Sequence, residues 1–245
     1  DTARRLRVGY VSPDWREHAS ARFLEPLLAA HDRQGFEVWA YAETADEDQD
    51  ATTARYRRLV DHWVPTRGLG DAELAERIRL DGIDILVDLA GHTRGNRLLV
   101  FARKPAPVSL TWMGYGSTTG LSAIDYHLSD AVHAPPGSEA TCAETPWRLP
   151  VAWAFRPAAG MGEPGPLPAA RRGHVTFGCL SRSIRINHRT LRAWAAILAR
   201  VPDARLVIDS RNFADASTCT RLLARFEALG VPADCVQLGF HSPPW

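Results

Sequence analysis

The run Ile83-Asp84-Ile85-Leu86-Val87-Asp88-Leu89 constrains the fold more than any other stretch of the chain. It is apolar at nearly every position, so as a strand it needs cover on both faces. It is also far short of the ~18 residues of a membrane span. Shorter runs of the same kind stand at 7–11, 36–41, 62–64, 108–113 and 124–128. Between them lie stretches of helical periodicity. Residues 21–31 place Phe23, Leu24, Leu27 and Leu28 on one face, 51–59 form a second helix, and 72–80 a third with Asp71 as its expected cap. Strands alternating with helices make βαβ units and a parallel sheet, so the expected class is α/β.

Pro157, Pro164, Pro166 and Pro168 mark a change of composition. A second series follows, with strands at 175–180, 204–209 and 235–239 and helices at 189–200 and 217–229. The expected organisation is a Rossmann-like N-terminal lobe over 1–156, a Pro/Gly-rich linker over 157–173, and the beginning of a second Rossmann-like lobe over 174–245. The text ends at Pro243-Pro244-Trp245 without a closing helix, so this second lobe is expected to be incomplete.

Charge and cysteine usage narrow the setting. A formal net charge of +1 sets up no field that favours nucleic acid or an anionic membrane. No basic segment leads into an apolar one, as a signal peptide requires. Cys142, Cys179, Cys219 and Cys235 form no CxxC pair and have no histidines at zinc spacing. They read as free thiols in a reducing, cytoplasmic compartment.

Open parallel sheets bind ligands beyond the carboxyl ends of their strands. The candidate loops are therefore those after Val11, Leu89, Met113 and Leu180. The first holds Asp14 and His18, an acid and an imidazole suited to proton transfer or phosphate contact; a capping Asp and a solvated His are the plain alternative. The second is Ala90-Gly91-His92-Thr93-Arg94-Gly95, either a close approach to a ligand or an ordinary turn. The third runs from Gly114 and Tyr115 through Thr118 and Thr119 to Gly120. It is rich in glycine and hydroxyls, suited to phosphate or sugar, but one residue too long for a GxGxxG fingerprint. The fourth carries Arg182 and Arg185, able to neutralise a pyrophosphate or simply solvated. Asp46-Glu47-Asp48-Gln49-Asp50 contains two Asp-x-Asp patterns with no apolar frame, so an exposed loop is expected and no metal site.

Taken together, these segments resemble the bacterial relatives of O-linked N-acetylglucosamine transferase. The resemblance covers Leu6-Arg7-Val8-Gly9-Tyr10-Val11-Ser12-Pro13-Asp14 with His18 four residues on, and Asp81 through Thr93. It continues in Pro105-Ala106-Pro107-Val108, Trp112-Met113-Gly114-Tyr115, Thr118-Thr119-Gly120 and Ile124-Asp125-Tyr126. In the second lobe it includes His174-Val175-Thr176-Phe177-Gly178 and residues 191–202. It implies a GT-B-type, metal-independent, inverting glycosyltransferase that uses UDP-N-acetylglucosamine and acts on Ser or Thr hydroxyls of proteins. Tetratricopeptide repeats are expected in the parent protein.

By resemblance, His18 matches the active-site histidine, with Asp14 and His92 in support. Arg185 stands where the family has a lysine that stabilises the departing diphosphate, and Arg182 where it has a polar donor contact. Gly114, Tyr115, Thr118 and Thr119 would line the donor sugar. The cleft departs from the family at Arg185, at Cys179-Leu180-Ser181-Arg182 and at Gly116-Ser117. A degenerate, non-catalytic binding module is therefore the rival reading. A nicotinamide-dependent oxidoreductase rests only on the glycine-rich loop and lacks a properly spaced fingerprint.

Overall fold

The structure is a computed structural model that describes residues 4–157 and 161–240. The terminal Pro243-Pro244-Trp245 and residues 158–160 of the expected linker lie outside the described residues. The chain divides into two compact units, Asp1–Pro157 and Ala158–Trp245.

The first unit runs β1 (Leu6–Ser12), α1 (Ala21–Ala29), β2 (Phe36–Ala42), α2 (Ala51–Arg58), β3 (His62–Pro65), α3 (Asp71–Leu80) and β4 (Ile85–Asp88). It continues through α4 (Leu98–Phe101), β5 (Val108–Thr111), β6 (Tyr126–Asp130) and β7 (Thr145–Leu149). Its seven strands form one sheet in the order β3-β2-β1-β4-β5-β6-β7, parallel throughout. Alternation along the strands divides the apolar side chains between two cores. Val8, Tyr10, Val38, Ala40 and Val87 face α1 and α2, meeting Leu24, Leu28 and Tyr56. Val11, Trp39, Tyr41 and Leu86 face α3 and α4, meeting Leu74, Ile78 and Phe101. Each fully buried Leu or Ile contributes about 1.5–3 kcal/mol. The double cover explains why the strands read as continuous apolar runs.

The second unit has α5 (Pro168–Arg172), β8 (Thr176–Cys179), α6 (His188–Arg200), β9 (Arg205–Asp209), α7 (Ala216–Glu227) and β10 (Val236–Gly239). Its three parallel strands lie in the order β10-β9-β8. Leu191 and Ala195 of α6 and Leu222 and Phe226 of α7 pack on Leu206 and Ile208. Asn187 and Asp215 cap the two long helices through their side chains. Hydrogen bonds from Thr218 and Ser217 hold the Asp215 carboxyl down to about 2.

Several elements differ from expectation. Gly70, not Asp71, takes the N-cap of α3, and Glu73 accepts from the Gly70 N–H at 2.7 Å. Asp71 begins the helix and pairs with Arg97 at 2.9 Å. The strand expected at 83–89 is confined to β4, because the Asp84 carboxylate accepts the Arg7 N–H at 2.8 Å outside the ladder. The strand expected at 124–128 is displaced to β6, since Asp125 instead accepts from Ser109 N–H at 2.7 Å and from Lys104. Strand β7 had no strong strand signal, because Pro146 interrupts it. As an edge strand it has a free side that tolerates a missing N–H. Residues 46–48 form a 3₁₀ turn within the expected acidic loop, and α5 lies within the expected linker. All four cysteines are free.

Gly114 follows β5 and lies against the end of β4. A Cβ there would stand 2.0 Å from the Leu89 carbonyl oxygen, backbone that has no room to retreat. We expect Gly114→Ala to destabilise the protein by about 2–3 kcal/mol, read as a lower midpoint in urea unfolding. An unchanged midpoint would show that the two loops are not packed together in solution.

Candidate active site

The chain turns from β1 to β2 on one side of the sheet and returns to the other side with β4. The loops after β1 and β4 therefore diverge and leave a crevice at the strands' carboxyl ends. The crevice has a volume of about 600 Å³. Asp14, Arg16, His18 and Ser20 line it from the loop after β1, Glu43 and Thr44 from β2, Thr93 and Arg94 from β4, and Gly114 from β5.

His18 lies just ahead of α1 and is half exposed. Its Nδ1 accepts the Ser20 N–H at 3.3 Å and lies 2.9 Å from Ser20 Oγ. In that arrangement the neutral ring carries its proton on Nε2. Asp14 Oδ2 lies 3.7 Å from Nδ1. Ser12 Oγ accepts the Asp14 N–H at 3.0 Å and fixes the start of this loop. The structure thus brings His18, Asp14 and Gly114 to one crevice.

The other residues expected here have different tasks. His92 is exposed and packs edge-on against Tyr115, with ring centroids 5.2 Å apart. Neither lines the crevice. Gly91 has φ 51, and a Cβ on it would stand 2.3 Å from Tyr115 Cβ, so only glycine fits. Gly114 N–H donates to the Trp112 carbonyl at 2.9 Å across Met113, whose φ is 73. This is the rarer, strained hand of the three-residue turn.

Thr118 and Thr119 do not offer their hydroxyls to a ligand. Thr118 donates to Glu144 Oε2 at 2.7 Å, the Thr119 N–H donates to Oε1 at 2.7 Å, and the Thr119 hydroxyl donates to the same oxygen. Thr119 and Glu144 are both buried. Burial pushes the Glu144 carboxyl up, but the hydrogen bonds from Thr119 and Thr118 outweigh it and hold it below its ordinary value. These threonines anchor the loop rather than line it.

Two groups, Asp88 buried and Arg97 partly buried, tie the surrounding loops together and were not singled out from sequence. Asp88 ends β4 and accepts from Ala90 N–H at 3.1 Å, Gly91 N–H at 2.9 Å and Thr111 Oγ1 at 2.8 Å. Burial raises its carboxyl despite those bonds. Arg97 reaches Glu43 at 3.0 Å, Asp71 at 2.9 Å and the carbonyls of Thr66 at 3.2 Å and Leu69 at 2.7 Å. One guanidinium thereby joins the loops after β2, β3 and β4. A lone Arg before an apolar turn gave no sign of this.

In the second unit, Arg182 lines a separate cavity of about 440 Å³ beyond β8 and β9. Arg185 ends the adjacent 3₁₀ turn and is exposed, but does not line that cavity. The loop after β9, residues 210–212, supplies the rest of the wall. The rule that strand ends carry sites would have indicated this loop.

A doubly wound parallel unit followed along the chain by a second parallel-sheet unit is the GT-B class of glycosyltransferase fold. The chain belongs to glycosyl transferase family 41, whose sequence model matches residues 1–147. A mutant O-GlcNAc transferase of Thermobaculum terrenum is 42% identical with a TM-score of 0.90, over 99% of this chain and 46% of that one. The probable UDP-N-acetylglucosamine–peptide N-acetylglucosaminyltransferase SPINDLY of Petunia hybrida is 37% identical over 97% of this chain and 26% of its own length. The UDP-N-acetylglucosamine–peptide N-acetylglucosaminyltransferase of Caenorhabditis elegans is 37% identical over 54% of this chain and 11% of its own. The lipopolysaccharide outer core galactosyltransferase WaaB shares the fold, with a TM-score of 0.60 at 14% identity. The chain thus spans about a quarter of the length of the curated relatives it matches most fully. The matched relatives include proteins of flowering plants and of a nematode, so the similarity does not single out a bacterial branch.

Glu144 gives a pH-dependent test of the loop anchor. Its folded pKa is depressed, so its stabilisation is complete above the ordinary glutamate value of about 4.3 and drains as pH falls through the lower folded value. We expect Glu144→Gln to cost about 1–3 kcal/mol at pH 7. The gap to the wild type should narrow below about pH 4. Urea unfolding at both pH values measures it, and a gap that is constant with pH would reject the ionised anchor.

Proposed function

We propose that the parent protein is a glycosyltransferase that moves N-acetylglucosamine, or a related sugar, from a UDP-sugar to Ser or Thr hydroxyls of proteins. Inversion at the sugar carbon is part of this reading. Its main support is membership of family 41, together with a histidine at the carboxyl-end crevice of the first unit.

Inversion in one displacement needs the acceptor hydroxyl to attack opposite the leaving diphosphate. The hydroxyl must lose a proton as the diphosphate gains charge. His18 faces the crevice with Asp14 close to Nδ1, an arrangement suited to orienting the acceptor or receiving that proton. Arg182 and Arg185 are exposed, and neither guanidinium has a hydrogen-bond or ion-pair partner among the described residues. They would offset charge on the diphosphate, so the proposal calls on no metal. The protein acceptor and tetratricopeptide repeats in the parent belong to this same proposal, as does a cytoplasmic setting. Among the described residues, no helix is long and apolar enough to cross a membrane.

A second reading, a transferase-like module that binds without catalysis, draws on Arg185 in place of a lysine. It draws also on the engagement of Thr118 and Thr119 by Glu144. UDP release by the full-length protein with a peptide acceptor separates the two. We expect His18→Ala to lower the rate by about 100-fold or more, and Arg185→Ala by about tenfold. Unchanged rates in both variants would remove these roles, and binding of UDP without turnover would favour the second reading.

A further inference from the structure

We infer that Arg211, which carries no role in the reading so far, pairs with Arg182 to hold the diphosphate of a nucleoside diphosphate. Strands β8 and β9 are parallel, with Gly178 opposite Val207 and Cys179 opposite Ile208. The two chains therefore leave the sheet side by side, at residues 180–182 and 210–212. The Ser183 N–H donates to Ser210 Oγ at 3.2 Å and ties one loop to the other.

The cavity between these loops is lined by Leu180, Ser181, Arg182, Ser210, Arg211 and Asn212. Among the described residues, its wall has two guanidinium groups and no carboxylate. Both arginines are exposed, and neither guanidinium has a hydrogen-bond or ion-pair partner among the described residues. Two cations facing one cavity repel each other. An anion of two or more charges turns that repulsion into attraction. A guanidinium presents paired N–H donors that match phosphate oxygens, and two such groups on separate loops suit a diphosphate better than a single carboxylate.

Ser210 adds a donor. Its oxygen already accepts from Ser183, and among the described residues its hydroxyl faces only Asn212 Oδ1, at a long 3.4 Å. That proton is available to an anion. Arg185, by contrast, does not line the cavity. The pair that grips the diphosphate is therefore Arg182 with Arg211, on two adjacent strands.

This deepens the UDP-sugar reading and rests on it only for the nucleoside. The test is calorimetric titration of the full-length protein with UDP, inorganic pyrophosphate and uridine. Arg211→Ala should weaken UDP and pyrophosphate by about tenfold to hundredfold, the loss of one or two charge-assisted hydrogen bonds. Uridine affinity should be unchanged, which a general loss of structure would not allow. Arg211→Lys should recover part of the loss, and it supplies the comparison if the alanine variant does not fold. Wild-type affinity for both anions in Arg211→Ala would overturn the inference, as would a wild-type protein that binds neither. Binding of pyrophosphate but not UDP, sensitive to Arg211, would sustain the arginine pair and sink the UDP-sugar reading.

Discussion

Strand β1 is paired on both edges, with β2 and with β4, and covered on both faces by helices. Everything at the first unit's crevice depends on that double burial. A strand so enclosed cannot slip register by one residue without driving Val8 and Tyr10 into the core built for Val11, and Val11 into theirs. Its carboxyl end is therefore a fixed point. The loop that leaves it, from Ser12 to Ser20, starts from a rigid base and carries Asp14 and His18 to one position. The reversal of strand order beside β1 opens the space into which that loop projects.

The crevice is kept open by polar groups that the protein itself saturates. Arg97 sits between Glu43 and Asp71 and also bonds two carbonyls. A partly buried ion pair of this kind adds little net stability by itself, but removing one partner leaves a charge without compensation. Its effect is to hold three loops at fixed separation. Asp88 and Glu144 do the same for the loops after β4 and β5, each by accepting several N–H or O–H groups. The residues left without such duties, such as Arg94 and, in the second unit, Arg182 and Arg211, are those still able to meet a ligand.

The parallel fold was legible because burial on both faces writes itself into a sequence as short, unbroken apolar runs. Runs such as 36–41 and 83–89 needed no further context. Strand β7 was not legible, because its pairing relies on β6 rather than on its own composition, and Pro146 argued against it. The places of His18 at the first unit's crevice and of Arg182 at the second unit's cavity were legible from their positions after a strand. Thr118 and Thr119 had the same credentials and a different fate. Nothing local in Gly114–Gly120 announces that Glu144, some 25 residues later, accepts both hydroxyls.

The sequence by itself determined the class of fold, the order of most of its elements and which loops stand at the carboxyl ends of the apolar strands. These follow from hydrophobic periodicity, a local property that each segment carries alone. Only the tertiary structure decided which polar side chains remain free. That outcome depends on partners distant along the chain: Arg97 with Glu43, Asp88 with Thr111, the threonine pair with Glu144. A hydroxyl or guanidinium has the same chemistry in every sequence, and whether it serves the fold or a ligand depends on what else the fold brings within about 3 Å of it.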